Sequence, residues 1–412
     1  MTADAWLAGG RASLEVLLAA AAVPPLAATT YLGVLAAWAR RPSSVAVAAV
    51  SVPLTRFDVV VPAHDEEAGI ARTIASLAAL DYPASLFRVV VVADNCSDAT
   101  AERARAAGVT VLERVDTQRR GKGYALSFAF DACLRDRRAS AVVVVDADSS
   151  VSPGLLRAFD HAISVGHQAM QAHYGVRDAG QSWRTRLAHL GLVLFHGVRS
   201  TAREALGVSC GLRGNGMCFR TELLRRVPHE ACSIVEDLEY GITLCRAGVR
   251  VSYVDAAWVS GDMPATSEGA RAQRARWEGG RRALRREHGW PLLAVALRTR
   301  DGMLLDMALD LLVPPLSTVA VAVAVGLGLS AGLSAVTGQV PVALGLWLAA
   351  LVGLLAYIAR GCAMTQRPMR TLMDLLWAPL FVAWKLTVPT ARVGKSSAWV
   401  RTSRTTHPKS DA

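Results

Sequence analysis

The chain offers no paired cysteines to a metal or a cross-link. Its seven cysteines, Cys96, Cys133, Cys210, Cys218, Cys232, Cys245 and Cys362, are odd in number, scattered and never spaced as C-x-x-C. That excludes a zinc ribbon and a disulfide framework, and it points to reduced thiols in a cytoplasmic setting. His229-Glu230 lacks the second histidine of H-E-x-x-H, and Gly121-Lys122-Gly123 lacks the spacing and the following Ser/Thr of a phosphate-binding P-loop. Internal repeats and nucleic-acid reader motifs are missing too. The formal net charge of +11 over 412 residues therefore favours acidic partners such as lipid head groups or phosphorylated substrates, without evidence for nucleic acid.

Apolar sequence is abundant, at 52% of residues, which is high for a wholly soluble enzyme. Residues 12–39 form a nearly unbroken apolar stretch around Pro24-Pro25, longer than the roughly 20 residues a helix needs to span a bilayer and too long for a signal-peptide core. Two further stretches, 311–335 and 341–359, flank the short polar link Thr337-Gly338-Gln339, as in a transmembrane hairpin. Arg40 and Arg41 follow the first span, and Arg360, Arg367 and Arg370 follow the third. Charge asymmetry then places residues 1–11 outside and the central region in the cytoplasm, as expected of a multi-pass inner-membrane protein. Residues 291–310 read as an amphipathic, interfacial segment. A fourth stretch, 371–390, contains Pro379 and Lys385 and reads as a re-entrant or interfacial helix. It precedes a basic cytoplasmic tail, 391–412, suited to anionic membrane lipids.

Residues 56–290 alternate short apolar runs with helical stretches, the pattern of an α/β domain with a mainly parallel sheet. Strands are expected at 57–62, 88–92, 109–112 and 141–145, and helices at 67–80, 97–107 and 123–135. Ligands in such sheets lie beyond the carboxyl ends of the strands. There the sequence has His64-Asp65-Glu66-Glu67, Asp94-Asn95 and Asp146-Ala147-Asp148.

Each cluster has two readings. Asp146 and Asp148, two positions apart, suit a hard cation such as Mg²⁺ or Mn²⁺, or else belong to a turn in which Asp148, Ser149 or Ser152 caps a helix begun by Pro153. Asp94 suits a nucleobase donor or a helix start, with Ser97 as the cap. Lys122 is an anion-binding cation or a surface lysine. Ser233 and Glu236 have capping-box spacing, which accounts for Glu236 and leaves Asp237 free to act as a general base. Arg271 to His288 carries seven arginines and reads either as a basic surface or as a diphosphate clamp built on Gln273, Arg276 and Trp277.

Taken in order, Val61-Pro62-Ala63-His64-Asp65-Glu66, Asp94-Asn95, Gly121-Lys122-Gly123, Asp146-Ala147-Asp148, Glu236-Asp237 and Gln273-Arg274-Ala275-Arg276-Trp277 resemble the family 2 glycosyltransferases. With the flanking spans they are similar to the branch of the cellulose, chitin-oligosaccharide and hyaluronan synthases. The resemblance implies a GT-A (Rossmann-like) fold, a UDP-sugar donor, inversion at the anomeric carbon and a divalent metal at Asp146 and Asp148. It further implies that Asp94 contacts the base, Lys122 the diphosphate, and Asp146 and Asp148 the ribose, metal and phosphates. Pro62 and Glu66 belong to the donor side, Asp237 is the base, and Gln273, Arg276 and Trp277 close over the donor. The segment Gly211-Leu212-Arg213-Gly214-Asn215-Gly216 departs from the pattern of polymer-forming relatives, and three spans are few for a self-contained channel. A glycan acceptor, a lipid-linked acceptor, a homo-oligomer and an export partner all stay open, as does a non-catalytic scaffold or export component that keeps the nucleotide-sugar fold.

Overall fold

Runs of β-branched residues build the centre of the molecule. In the computed structural model, which describes residues 3–40, 52–177, 182–262 and 267–386, eight strands form one sheet: β1 (Phe57–Ala63), β2 (Phe87–Asp94), β3 (Thr110–Arg114), β4 (Ala141–Val144), β5 (Ser150–Val151), β6 (Ala169–Val176), β7 (Met217–Arg220) and β8 (Val251–Gly261). The spatial order is β3-β2-β1-β4-β7-β6-β8-β5. The first four are mutually parallel, β7 runs antiparallel to β4 and β6, and β6 is again parallel to β8. Val59, Val60, Val61, Val142, Val143 and Val144 are fully buried, each contributing roughly 1.5–3 kcal/mol, because helices cover both faces of this part of the sheet. The single charge inside β1, Asp58, is held by two hydrogen bonds from Arg88 at 2.7 and 2.9 Å.

Helix starts depart from the sequence expectation where side chains capture the backbone first. The helix expected at 67–80 spans Ile70–Ala78, since Glu66 to Gly69 form a turn and the Glu66 and Glu67 N–H groups donate to Thr100 Oγ1 and Asp98 Oδ2. The next helix is Thr100–Ala106. Ser97 does not cap it: its N–H and hydroxyl donate to Asp65, while Asp98 Oδ1 accepts from the Thr100 N–H. The third strand is shifted to 110–114. Pro153 does not begin a helix either, because Leu155–Ser164 starts two residues later on Gly154 without a side-chain cap.

Among the described residues, three helices are long and apolar enough to cross a membrane: Gly10–Trp38, Leu316–Thr337 and Val342–Met364. The second begins later than the apolar run at 311 because Val313-Pro314-Pro315 separates it from the helix Gly302–Leu312. The first and third pack so closely that a Cβ on Gly353 would lie 2.8 Å from the Thr29 carbonyl oxygen, the small-residue contact that apolar spans use in place of a hydrophobic driving force. Glu15 accepts from the Val342 N–H at one end of this pair, and Ala39 O accepts from Arg360 at the other.

Residues 291–310 lie in the helices Trp290–Thr299 and Gly302–Leu312, whose inner face packs on Val235, Ile242 and Cys245. The stretch expected at 371–390 is a broken series, Pro368–Asp374, Leu375–Trp377 and Ala378–Leu386. It is pinned to the domain by Arg186, which donates to both Asp374 oxygens at 2.7 and 2.6 Å, and by stacking of Trp183 on Trp377. The tail, 391–412, lies outside the described residues.

Candidate active site at the carboxyl edge of the sheet

The parallel register aligns the ends of β1, β2 and β4, so their following loops share one edge. Pro62 is a buried residue of β1 opposite Val92, and Glu66 sits half-buried in the turn beyond it. Asp65 (φ 54°) and Asn95 (φ 51°) adopt the left-handed conformation, which short polar side chains tolerate. Asp94 at the end of β2 is 1% exposed and accepts from Arg114 Nη1 at 2.6 Å. Arg114 is steadied in turn by Asp116 at 3.0 Å. The carboxylate is thereby fixed in place, a role for Arg114 that no local sequence pattern signals. Asp65, Cys96 and Asp98 also lie close together, but Ser97, Thr100 and the Glu67 N–H already use the two carboxylates as a latch between the loops.

Lys122 is the hub of the site. Its ammonium lies 2.5 Å from Asp146 Oδ1 and 3.6 Å from Glu236 Oε1, and it donates to the Gly214 carbonyl at 2.6 Å. Both glycines beside it are explained. Gly121, which precedes the helix Lys122–Asp136, has φ 137°. A Cβ on Gly123 would meet the Ala231 carbonyl oxygen at 2.2 Å. Only glycines let this helix start against the 231–232 backbone with Lys122 turned into the centre.

Asp146 and Asp148 follow β4 with Ala147 buried between them. Asn215 steadies this turn: its Oδ1 accepts from the Asp146 N–H at 3.1 Å, and its Nδ2 donates to Ser149 Oγ at 2.8 Å, which donates to Asp148 Oδ1 at 3.1 Å. The helix-capping reading of this pair fails, since the helix beyond it has no side-chain cap. Two half-buried carboxylates, one already facing an ammonium at 2.5 Å, form an oxygen donor set with the charge density a hard divalent cation requires. Half-buried Tyr174 faces the pair, and desolvation together with Asp148 and Asp146 pushes its phenol well above the usual range.

The capping box at Ser233 does not form. The helix Glu236–Arg246 has Val235 at its start with no side-chain cap, and the Ser233 N–H donates instead to Glu239 at 2.9 Å. Glu236 is thus released for the site, which the local reading had missed. Burial raises its carboxyl to about 7, against the pull of Lys122 and with added repulsion from Asp237 and Asp146. Burial also raises Asp237. Asp237 Oδ2 and Lys122 Nζ each come within 3.5 Å of the position a Gly214 Cβ would occupy. The side chains of Lys122, Asp146, Glu236 and Asp237 therefore converge on the Gly214 backbone, on the edge that also bears Asp94.

Gln273, Arg276 and Trp277 lie on the helix Ser267–Leu284. Helical spacing puts them on the same face as Gly280, whose Cβ position abuts Ile234 and Val235 at 2.7 and 2.9 Å, directly before Glu236. Trp277 is 45% exposed, so this face borders the site without filling it. Arg271 and Arg274 point elsewhere, over the rings of Trp384 and Phe381. His229 is a core residue between Phe130 and Tyr240.

The chain is similar to the N-acetylglucosaminyltransferase of Rhizobium meliloti, 27% identical over 291 residues, 63% of this chain and 64% of that protein. It is also similar to the beta-monoglucosyldiacylglycerol synthase of Synechocystis, 28% identical over 246 residues, 56% of this chain and 49% of that protein. The chain thus spans from about half to under two thirds of the length of these curated relatives. Among solved structures, the mannosyltransferase PcManGT of Pyrobaculum calidifontis, in complex with GDP-Man and Mn²⁺, superposes with a TM-score of 0.51 at 20% identity, covering 88% of this chain and 99% of that one. That likeness bears out the GT-A fold of the domain. The model of the family described as "Glycosyltransferase like family 2" matches residues 55–280, and the chain belongs to that family.

Proposed function

We propose that the chain is an inverting, metal-dependent glycosyltransferase that moves a hexose or N-acetylhexosamine from a UDP-sugar to a hydroxyl of a glycan or lipid-linked acceptor, in cell-surface polysaccharide or glycolipid synthesis. The observation that carries this reading is the half-buried Lys122 ammonium, 2.5 Å from Asp146 and 3.6 Å from Glu236, with Asp237 reaching the same Gly214 position. It supports a phosphate-binding cation near a carboxylate able to take a proton. The names of the relatives and the metal in the PcManGT complex support the same class of reaction.

In this reading Asp94 holds the base, with Pro62 and Glu66 nearby, and Lys122 neutralises charge on the leaving diphosphate. Asp237 accepts the proton of the attacking hydroxyl. The oxygen bonds to the anomeric carbon as the bond to the diphosphate breaks, and UDP leaves with the electron pair from the opposite face. Asp146 and Asp148 would hold a Mg²⁺ or Mn²⁺ ion, which would supply further positive charge at the diphosphate. Gln273, Arg276 and Trp277 close the donor side. The arginines at the domain ends of the spans support a cytoplasmic domain on a multi-pass inner-membrane protein.

A UDP-release assay on detergent-solubilised protein, run over a panel of nucleotide sugars with and without divalent metal, tests the reading. A general base is worth about 10²–10⁴-fold in rate, so Asp237→Asn is expected to lose that much transfer while still binding UDP. Near-normal turnover removes Asp237 from the role, and silence across the whole panel favours the scaffold reading.

A further inference from the structure

Between the catalytic centre and the spans lies a buried layer whose charges do not balance. Asp310 meets Arg199 at 2.6 Å, Arg203 at 3.2 Å and Arg281 at 3.1 Å, and Asp306 meets Arg203 at 3.0 Å. Arg213, 7% exposed, joins them with no carboxylate in ion-pair reach among the described residues: its Nη2 donates to the Cys210 carbonyl at 3.0 Å and its Nε has no partner. Four guanidiniums thus face two carboxylates. The guanidiniums of Arg213, Arg199 and Arg281 surround the Phe195 ring at 4.4, 5.0 and 5.3 Å. His196 beside it is buried with Nδ1 unpartnered. Buried charge without a counter-ion is strongly unfavourable, so this layer is built for an anion.

Its depth says which kind. Arg203 donates to Tyr31 of the first span at 2.8 Å, and Arg199 donates to Tyr357 of the third at 3.0 Å. Each tyrosine lies seven residues from the domain end of its span, about 10 Å along a helix, so the layer joins the domain to the membrane-facing ends of the spans. Arg213 also adjoins Gly214, whose carbonyl binds Lys122 at 2.6 Å. The ring of His196 meets Tyr174 at 5.2 Å, on the side of Asp146 and Asp148. The spans themselves are in direct contact at Thr29–Gly353 and Trp347–Gly326, too close to enclose a passage for a sugar chain. An acceptor reaches Asp237 most directly along the membrane surface.

Resting on the transferase reading, we infer that Arg213, with Arg281, Phe195 and His196, binds the phosphate of a membrane-lipid acceptor whose head group also carries the hydroxyl presented to Asp237. Burial lowers the Arg213 guanidinium to about 10, which leaves it charged at neutral pH. Sugar transfer then joins the lipid hydroxyl oxygen to the anomeric carbon, releases UDP and passes the hydroxyl proton to Asp237, while the lipid phosphate stays intact.

The test is calorimetric titration of the full chain in maltoside micelles with dodecyl phosphate, against inorganic phosphate and further neutral maltoside as controls. Dodecyl phosphate is expected to bind, and Arg213→Met to weaken it about tenfold, the effect of losing one charge-assisted hydrogen bond. Arg213→Lys is expected to retain most of the affinity. Removing an uncompensated charge should leave the melting temperature of Arg213→Met unchanged or raised. Undiminished binding by Arg213→Met, equal binding of inorganic phosphate, or a fall in melting temperature would each overturn the inference. UDP release by the wild-type protein is the separate readout: its absence removes the transferase reading and leaves the binding result standing.

Discussion

Gly123→Ala separates helix propensity from tertiary packing. In an isolated helix the change stabilises by about 0.5–1 kcal/mol, because alanine loses less backbone entropy than glycine. Here the new methyl would lie 2.2 Å from the Ala231 carbonyl oxygen and 2.9 Å from Cys232 Cα. Both are backbone atoms that cannot rotate away. Forcing such an overlap costs roughly 1–3 kcal/mol, so the steric term wins and the variant is expected to be less stable by about 1–2 kcal/mol. For a domain of this size that is a fall of several degrees in melting temperature. Gly191, inside the helix Trp183–Leu192, supplies the control, since nothing lies within 4 Å of its Cβ position. Gly191→Ala should raise the melting temperature slightly. Because the overlap pushes the start of the Lys122–Asp136 helix away from the loop that leads to Glu236, UDP affinity should drop in Gly123→Ala and stay unchanged in Gly191→Ala. Scanning fluorimetry and UDP titration of the two solubilised variants measure both effects. If both are stabilised alike, the close approach at Ala231 is not real and the account of Lys122's placement fails.

Glu236, raised to about 7 from 4.5, binds a proton in the folded state that the unfolded chain has released between those values. Stability should therefore fall as pH rises through that window, by on the order of 3 kcal/mol, and Glu236→Gln should flatten the melting temperature across it when chelator is present. A slope that persists in the variant assigns the linkage to another group. Arg186→Met would strand buried Asp374, now held at 2.7 and 2.6 Å, at a local cost of about 3–5 kcal/mol. Hydrogen exchange over 368–386 should then speed up while the rate in β1 stays fixed; unchanged exchange would show that the stacked Trp183–Trp377 pair suffices to hold this segment.

Much of the architecture was legible because it depends on short-range pattern. Continuous valine runs are buried strands wherever they occur, acidic residues directly after them fall on one edge of a parallel sheet, and apolar runs above 20 residues are helices long enough for a membrane. Residues 55–280, which the family model matches, include each of these strand-end clusters. Local motifs misled where a partner outside the motif competed for the same group. Ser97 was taken by Asp65 across 32 residues, and the apparent capping box at Ser233 gave way because Glu239 claimed its N–H.

Composition, strand period and the length of apolar runs were thus enough to determine the α/β domain, its sheet edge and the three membrane-length helices. Tertiary structure alone decided that Glu236 joins Lys122, that Arg114 fixes Asp94, that Asn215 steadies the Asp146 turn, and that the arginines at 199, 203, 213 and 281 gather near Asp310. The physical reason is range. Hydrophobic period acts over a few residues and can be read in order, whereas a buried charge finds its counter-ion 20 to 188 residues away, at a distance the sequence does not encode locally.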